Sequence, residues 1–224
     1  MPEKPVLDHG FVRLDASMAD DLSVVNAARV SFGVNHETLQ DGDIKLISFL
    51  IRERHGTPFE HNAFRFHVKA PIFIFREWQR HRVGSFNEMS GRYKEFTDPE
   101  FYLPEEFRTQ VGKPGAYTFE PWKGNAKYAQ ESMKRHCQDS IDLYKYYIDA
   151  GMAKEQARII LPLNLYSEMY WTVNLRSLMN FLSLRNSDQA MWEIREYAKV
   201  VEEFATLEMP ITMEAFVQNG RSAP

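Results

Sequence analysis

The sequence contains a single cysteine, Cys137, so no disulfide can form within the chain, which suits a reducing compartment. It has no run of about 18 apolar residues and therefore no candidate membrane-spanning helix. The N-terminus lacks the charged-then-apolar pattern of a secretory signal. These absences set the expectation of a cytoplasmic protein with no membrane partner. The chain also lacks a basic excess. Its 27 Lys and Arg stand against 31 Asp and Glu, the net charge is −4, and the pI is about 6.0. That balance argues against a surface built to coat nucleic acid, and any polyphosphate ligand must meet local basic clusters instead. Neither G-x-G-x-x-G nor G-x-x-x-x-G-K-[ST] occurs, so no Rossmann loop or P-loop is on offer. Internal repeats, low-complexity tracts and a dividing linker are missing too, and a single domain over 1–224 is expected.

What is present supports a buried core: hydrophobic residues make up 44% and charged residues 26%. Residues 10–16 read as a strand. Ser17 and Asp20 resemble a capping pair for a helix to about Val30, with Leu22, Val25 and Ala28 on one face. A second helix covers 44–54, with Leu46, Phe49 and Leu50 sharing a face and Gly56 as a stop. Residues 63–70 alternate, with Phe64, Phe66 and Val68 inward and Arg65, His67 and Lys69 outward, as in a half-buried strand. Pro71 can start a helix to about His81. The Pro- and Gly-containing stretch 96–125 reads as an extended insert or hairpin. A long helix over 126–150 closes at Gly151, and a shorter one covers 153–161. Residues 166–173 read as a strand. Helices follow at about 174–184, 188–207 and 212–217. The pattern is α+β, a small and mostly antiparallel sheet packed by long helices.

Most side chains that could carry chemistry have a plainer reading. His55, His61 and His67 are spaced by six, but Pro58 breaks helical spacing and HGTPFEH is not H-E-x-x-H, so no metal site is expected. Cys137 sits mid-helix among long polar neighbours and reads as a packing or helix-surface residue, because a nucleophilic thiol needs access and a lowered pKa. Phe73, Phe75 and Trp78 read as core, and Tyr166, Tyr170 and Trp171 as strand packing.

The segment RHRVGSFNEMSGRY, Arg80 to Tyr93, has little hydrophobic periodicity. Arg80, Arg82 and Arg92 supply forked donors for phosphate or carboxylate. Ser85, Asn87 and Ser90 offer short-range hydrogen bonds, and Gly84 and Gly91 allow close backbone approach. Such a loop suits an anionic heterocycle, and the plain alternative is a solvated loop. Ser90 has no His–Asp partner in the sequence and reads as a ligand-binding hydroxyl.

The same segment matches all nine fixed positions of R-H-R-x-x-S-x-N-E-x-S-x-R-Y, the signature of the flavin-dependent thymidylate synthases. With about one chance in twenty per position, accident is on the order of 10⁻¹² per site. HGTPFEH at 55–61, FHVKAPIF at 66–73, ARIILPLNLY at 157–166 and WTVNLRSLMNFLSLR at 171–185 also resemble that family, in its order.

The resemblance implies methylation of dUMP to dTMP, with methylenetetrahydrofolate as one-carbon donor and FAD, reduced by NADPH, as hydride carrier. It implies a homotetramer whose active sites draw on more than one chain. Thr57, Arg80, His81, Arg82, Glu88, Asn174, Arg176 and Asn180 would contact FAD. Gln79, Arg80, Glu88, Met89, Ser90, Gly91, Arg92, Arg158 and Arg185 would hold dUMP, with Arg185 polarising the uracil ring and His55 on the folate side. One position departs. Three residues before the Arg80-His81-Arg82 triplet the family resemblance leads to Gln, and this chain has Glu77. A carboxylate there disfavours a phosphate, so either Gln79 substitutes or the local helix shifts. Two other classes compete. A single-strand nucleic-acid binder would use the same arginines but conflicts with the acidic balance. A non-catalytic nucleotide sensor conflicts with the complete signature.

Overall fold

The computed structural model describes residues 3–113 and 116–224. In chain order the elements are β1 (Glu3–Val6), β2 (Gly10–Met18), α1 (Asp21–Arg29), α2 (Asp41–Arg52), α3 (Thr57–Glu60), β3 (Ala63–Pro71), α4 (Ile72–Trp78), β4 (Ser85–Glu88), β5 (Arg108–Lys113), β6 (Ala116–Pro121), α5 (Ala126–Asp149), α6 (Lys154–Ala157), β7 (Tyr166–Asn174), α7 (Leu175–Arg185), α8 (Trp192–Glu208) and α9 (Pro210–Gln218). Five strands form one antiparallel sheet in the order β1-β2-β3-β7-β4, and β5 and β6 form a separate hairpin. The architecture is the α+β class expected.

The inward positions of β3 behave as their alternation requires: Phe64, Phe66 and Val68 are all but fully buried. Val12 and Leu14 of β2 and Met169, Trp171 and Val173 of β7 join them on one sheet face. Against it pack Ile74, Phe75 and Trp78 of α4, Leu178, Phe181 and Leu182 of α7, and Ile194, Tyr197 and Val201 of α8. A second, smaller cluster joins Ile141 and Tyr144 of α5 to Ala157 of α6, with Phe96, Phe101 and Leu161 around it.

Several boundaries differ from the sequence reading, each for a local reason. Ser17 does not cap α1, because it lies in β2 opposite Phe64, and Asp20 caps instead by accepting from the Ser23 amide at 2.8 Å. α2 starts three residues early at Asp41, and its buried face is Ile47, Leu50 and Ile51, leaving Phe49 42% exposed. His67 is not a free surface residue: it stacks on Tyr170 at 4.7 Å and bonds Glu168 at 2.9 Å. Residues 80–93 are not all loop, since β4 pairs with β7 at the sheet edge. The helix expected from 188 starts at Trp192, and that from 153 tightens into a 3₁₀ turn at Arg158–Ile160. β1 was not anticipated. The 96–125 insert contains the β5–β6 hairpin, while its Pro114 and Gly115 fall outside the described residues.

Asp43 ties the first third of the chain together. It is fully buried, and its Oδ1 accepts from Arg29 of α1 at 2.6 Å and its Oδ2 from the Gln40 amide at 3.0 Å. His36 sits on Oδ2 at 2.8 Å, and Asn26 holds the His36 backbone on both its amide and its carbonyl. Burial opposes the charge on Asp43, but the Arg29, His36 and Gln40 hydrogen bonds outweigh it and hold the carboxyl below its ordinary value. A depressed carboxylate stabilises the fold fully above its unfolded pKa and loses that contribution as pH falls through the lower folded value. Asp43→Ala removes the buried acceptor of the part-exposed Arg29 and of His36 and should cost about 2–3 kcal/mol. Denaturant unfolding of the variant at neutral pH checks this, and the difference from the parent should shrink below pH 3.8, the ordinary aspartate value.

Candidate functional site

The segment 80–93 is held open by three elements. α4 ends at Trp78, whose ring is sealed in the core, so the chain must turn out of the helix at Gln79 and Arg80. β4 then runs along β7, and the Met89 amide extends this pairing by donating to the Glu168 carbonyl at 2.8 Å. After it, the amides of Tyr93 and Lys94 both donate to the Ser90 carbonyl, at 3.1 and 3.0 Å, which makes a tight turn.

That turn borders a cavity of about 270 Å³ whose walls include Glu88, Met89, Ser90, Gly91, Arg158 and Arg76. Five residues expected at the nucleotide therefore meet around one space, although Arg158 lies 67 or more residues along the chain from the others. It arrives because α6 packs on α5 in the second core cluster. A methyl group at Gly91 would come within 3.0 Å of the Arg158 side chain and 2.9 Å of Phe96, so a larger residue here would have to push one of those side chains aside. Arg76 escaped the sequence reading. Its signal was helical spacing, three residues before Gln79 on α4. Gln79 donates to Glu88 at 3.4 Å, which places it, rather than Glu77, on the cavity side.

Four expected nucleotide residues do not line this space: Arg80, Arg92, Arg185 and Gln79, which reaches its wall only through Glu88. Arg92 turns outward and pairs with Glu155 at 3.0 Å, both about half exposed, an interaction worth at most about 1 kcal/mol and readily exchanged for a ligand. Arg185 sits on the other side of α4. Its Nε donates to His81 Nε2 at 3.1 Å, and its terminal nitrogens donate to the Glu77 carboxylate at 2.8 Å and the Glu77 carbonyl at 3.2 Å.

Of the residues expected at the flavin, Glu88 is on the cavity wall and the others divide into two places. Arg80 and Arg82 are exposed just after α4 and have no carboxylate partner among the described residues, whereas His81 is buried. Thr57, Asn174, Arg176 and Asn180 gather where α3 meets α7. There Asn174 caps α7 by accepting from the Ser177 amide at 2.8 Å, and Arg176 pairs with Glu60 at 2.5 Å and the Pro224 carbonyl at 2.9 Å. Thr57 and Asn180 are exposed. His55 is exposed and stacks on Phe49 at 5.7 Å. Cys137 is buried against Asn164, which donates to its sulfur at 3.3 Å, so it packs as the sequence suggested.

A larger cavity of about 670 Å³ lies beside Tyr102 and Trp192. Four carboxylates, on Asp8, Glu105, Glu106 and Glu193, face one guanidinium there, on Arg108. An anionic ligand would be repelled, so chemistry rather than size selects the smaller cavity.

The model of the Thy1 family, described as thymidylate synthase complementing protein, matches residues 13–211. The chain belongs to the Thy1 family. It is 46% identical over 218 residues to a flavin-dependent thymidylate synthase from Thermosipho melanesiensis, covering 96% of this chain and 94% of that one. It is 48% identical over 228 residues to a protein of the same name from Tropheryma whipplei, covering 95% and 94%. A solved structure of PolB, a UMP/dUMP methylase from Streptomyces cacaoi bound with 5-Br dUMP, superposes with a TM-score of 0.90 at 39% identity, covering 98% of this chain and 99% of that one. The Thy1 span thus takes in the cavity walls, the α3–α7 corner and Arg185.

His81 has a definite protonation state in this Thy1 chain. Burial, and then the neighbouring Arg185 charge, lower its pKa to about 4. Arginine can only donate, so Nε2 accepts and the proton of the neutral ring sits on Nδ1. In the unfolded chain the ring titrates near 6.5, so stability falls as pH drops from that value towards 4, where the folded ring also protonates. Imidazole NMR should show the His81 signal flat from pH 8 to pH 5, with a midpoint near 4. A midpoint at 6.5 would mean that in solution the ring is neither buried nor beside Arg185.

Proposed function

We propose that this chain methylates dUMP to dTMP, with methylenetetrahydrofolate as one-carbon donor and FAD, reduced by NADPH, as hydride carrier, and that residues 1–224 form a single catalytic domain. The observation that carries the reading is the convergence of Glu88, Met89, Ser90 and Gly91 with Arg158 and Arg76 around one cavity, in a chain of this family. Two guanidiniums and a hydroxyl form a phosphate-binding donor set. The Glu88 carboxylate at its edge can accept from a ring N–H.

The donor set also suits a flavin dinucleotide. Arg80 and Arg82 are exposed and uncommitted to any carboxylate among the described residues, which leaves two cations for its phosphates. Thr57 and Asn180 are exposed at the α3–α7 corner and offer polar groups to a ligand. When bound, the flavin would supply the hydride chemistry, which no side chain can perform. The protein's own part is orientation and charge. Arg158, Arg76 and Ser90 fix the nucleotide phosphate. Arg185 faces the uracil edge and stabilises the negative charge that grows there as carbon 5 attacks the one-carbon donor.

A cavity of about 270 Å³ is small for a nucleotide together with its co-substrates, and Arg185 is not among its walls. Both facts support a homotetramer in which Arg185 of one subunit completes the cavity of another. Pooling of basic clusters at such junctions reconciles a net charge of −4 with four anionic ligands.

The test is direct. The purified protein should be yellow, its flavin absorbance should shift on adding dUMP, and it should form dTMP with NADPH and methylenetetrahydrofolate. A colourless protein that refuses FAD removes the reading. Arg158→Ala should raise the dUMP KM by roughly 10–100-fold, as expected for loss of a charged hydrogen bond to phosphate of about 1.5–3 kcal/mol. Cys137→Ala should keep its rate, and sedimentation should show a tetramer as the active species.

A further inference from the structure

Arg185 is held at all three of its nitrogens. Nε donates to His81, and the two terminal nitrogens donate to the carboxylate and the backbone carbonyl of Glu77. A guanidinium carries five N–H groups, so two remain uncommitted within the chain. Glu77 and His81 are four residues apart and share one side of the α4 end, opposite to Gln79, which reaches Glu88. His81 is itself wedged edge-on against Phe181 at 5.0 Å, and Phe181 lies four residues before Arg185 on α7. α4 and α7 thus close a ring of contacts through Glu77, Arg185, His81 and Phe181. The Arg185 and Glu77 side chains are only 20% and 33% exposed, so water screens the pair weakly.

We propose that Glu77, with His81, is the socket that fixes the plane of the Arg185 guanidinium, and that Glu77 is therefore a positioning residue for the reaction rather than a nucleotide contact. This rests on the reading of Arg185 as the group facing the uracil ring. The departure from the expected Gln then has a physical meaning. A side chain that reached the nucleotide at this position would be best neutral, whereas one that seats a guanidinium gains from the negative charge of a carboxylate. Gln79 meanwhile takes the cavity side. An arginine stem has several free torsions, and a preorganised donor acts at full strength only when those torsions are fixed before the substrate arrives.

The experiment compares Glu77→Gln, Glu77→Asp and Glu77→Ala with Arg185→Ala and with the double variant Glu77→Ala/Arg185→Ala. Single-turnover dTMP formation is read on prereduced, FAD-loaded enzyme, with dUMP KM and NADPH-driven flavin reduction read alongside. Glu77→Gln keeps the acceptor oxygen at the same reach and should stay within about 3-fold of the parent, since only the charge-assisted part of the bond is lost. Glu77→Asp withdraws the acceptor by one methylene, and it should lower the rate on the order of 10–100-fold at saturating dUMP. Flavin reduction and KM should barely change. Glu77→Ala should behave likewise, and it should add nothing in the Arg185→Ala background. Should Glu77→Ala fail to fold, the Gln and Asp variants decide alone. Equal losses in Gln and Asp, or a parent-like rate in Asp, overturn the socket. A parent-like rate in Arg185→Ala instead overturns the role of Arg185, a separate failure.

Discussion

Trp78, Trp171 and Phe181 meet with ring centroids 4.8 to 5.2 Å apart, and all three are sealed from solvent. They belong to α4, β7 and α7, the three elements from which most of the candidate site departs. Aromatic rings of this size bury 150–250 Å² each and pack with a preferred geometry, so the junction fixes both distance and angle between those elements. His81 leaves the helix three residues after Trp78, Arg185 lies four residues after Phe181, and Trp171 pairs with Phe86 inside the signature segment. An error in this junction would move Arg185, His81 and the 85–91 wall together. The geometry of the candidate site is therefore inherited from an apolar contact.

The elements that could be read from sequence were those whose burial pattern has a local period. β3 alternates because one of its faces meets helices and the other does not, and α5 ends where Gly151 takes φ of 84°. The signature segment could be read as functional because it has no period at all. What could not be read were features set by a partner far along the chain. β4 is a strand only because β7 offers it an edge, and four residues of SFNE carry no alternation strong enough to announce it. Phe49 looked like core, but α2 presents its Ile47 face to the interior, and that choice follows from α9, about 160 residues later.

The site divides along the same line. Ser90, Gly91 and Arg158 meet in space although nothing local links residue 91 to residue 158. Only the resemblance to a family ordered those segments in advance. Arg76 carried no family mark in that comparison and became visible with the helix. Conversely, Asn174 and Arg176 were marked for a ligand and are engaged within the chain, as a helix cap and as a bridge from α7 to Glu60. Sequence similarity points to a position and leaves open what that side chain touches in the free protein.

The pairing of cations explains how an acidic chain can take anionic ligands. Ten of its sixteen arginines have carboxylate partners among the described residues, and the rest are Arg54, Arg76, Arg80, Arg82, Arg135 and Arg158. Four of these six lie on α4, just after it, or on the cavity wall. A guanidinium neutralised by a carboxylate has little field left for a phosphate, whereas an uncommitted one retains its full charge. Net charge therefore says little about which ligand a protein can hold; the spatial pattern of unpaired cations says more. Arg185 is the exception that fits this logic. It is paired, to Glu77, and a paired guanidinium is a poor trap for a dianionic phosphate. Its two remaining N–H groups, on a stem fixed by Glu77 and His81, would suit a weaker and later demand, the charge that develops on a heterocycle during reaction.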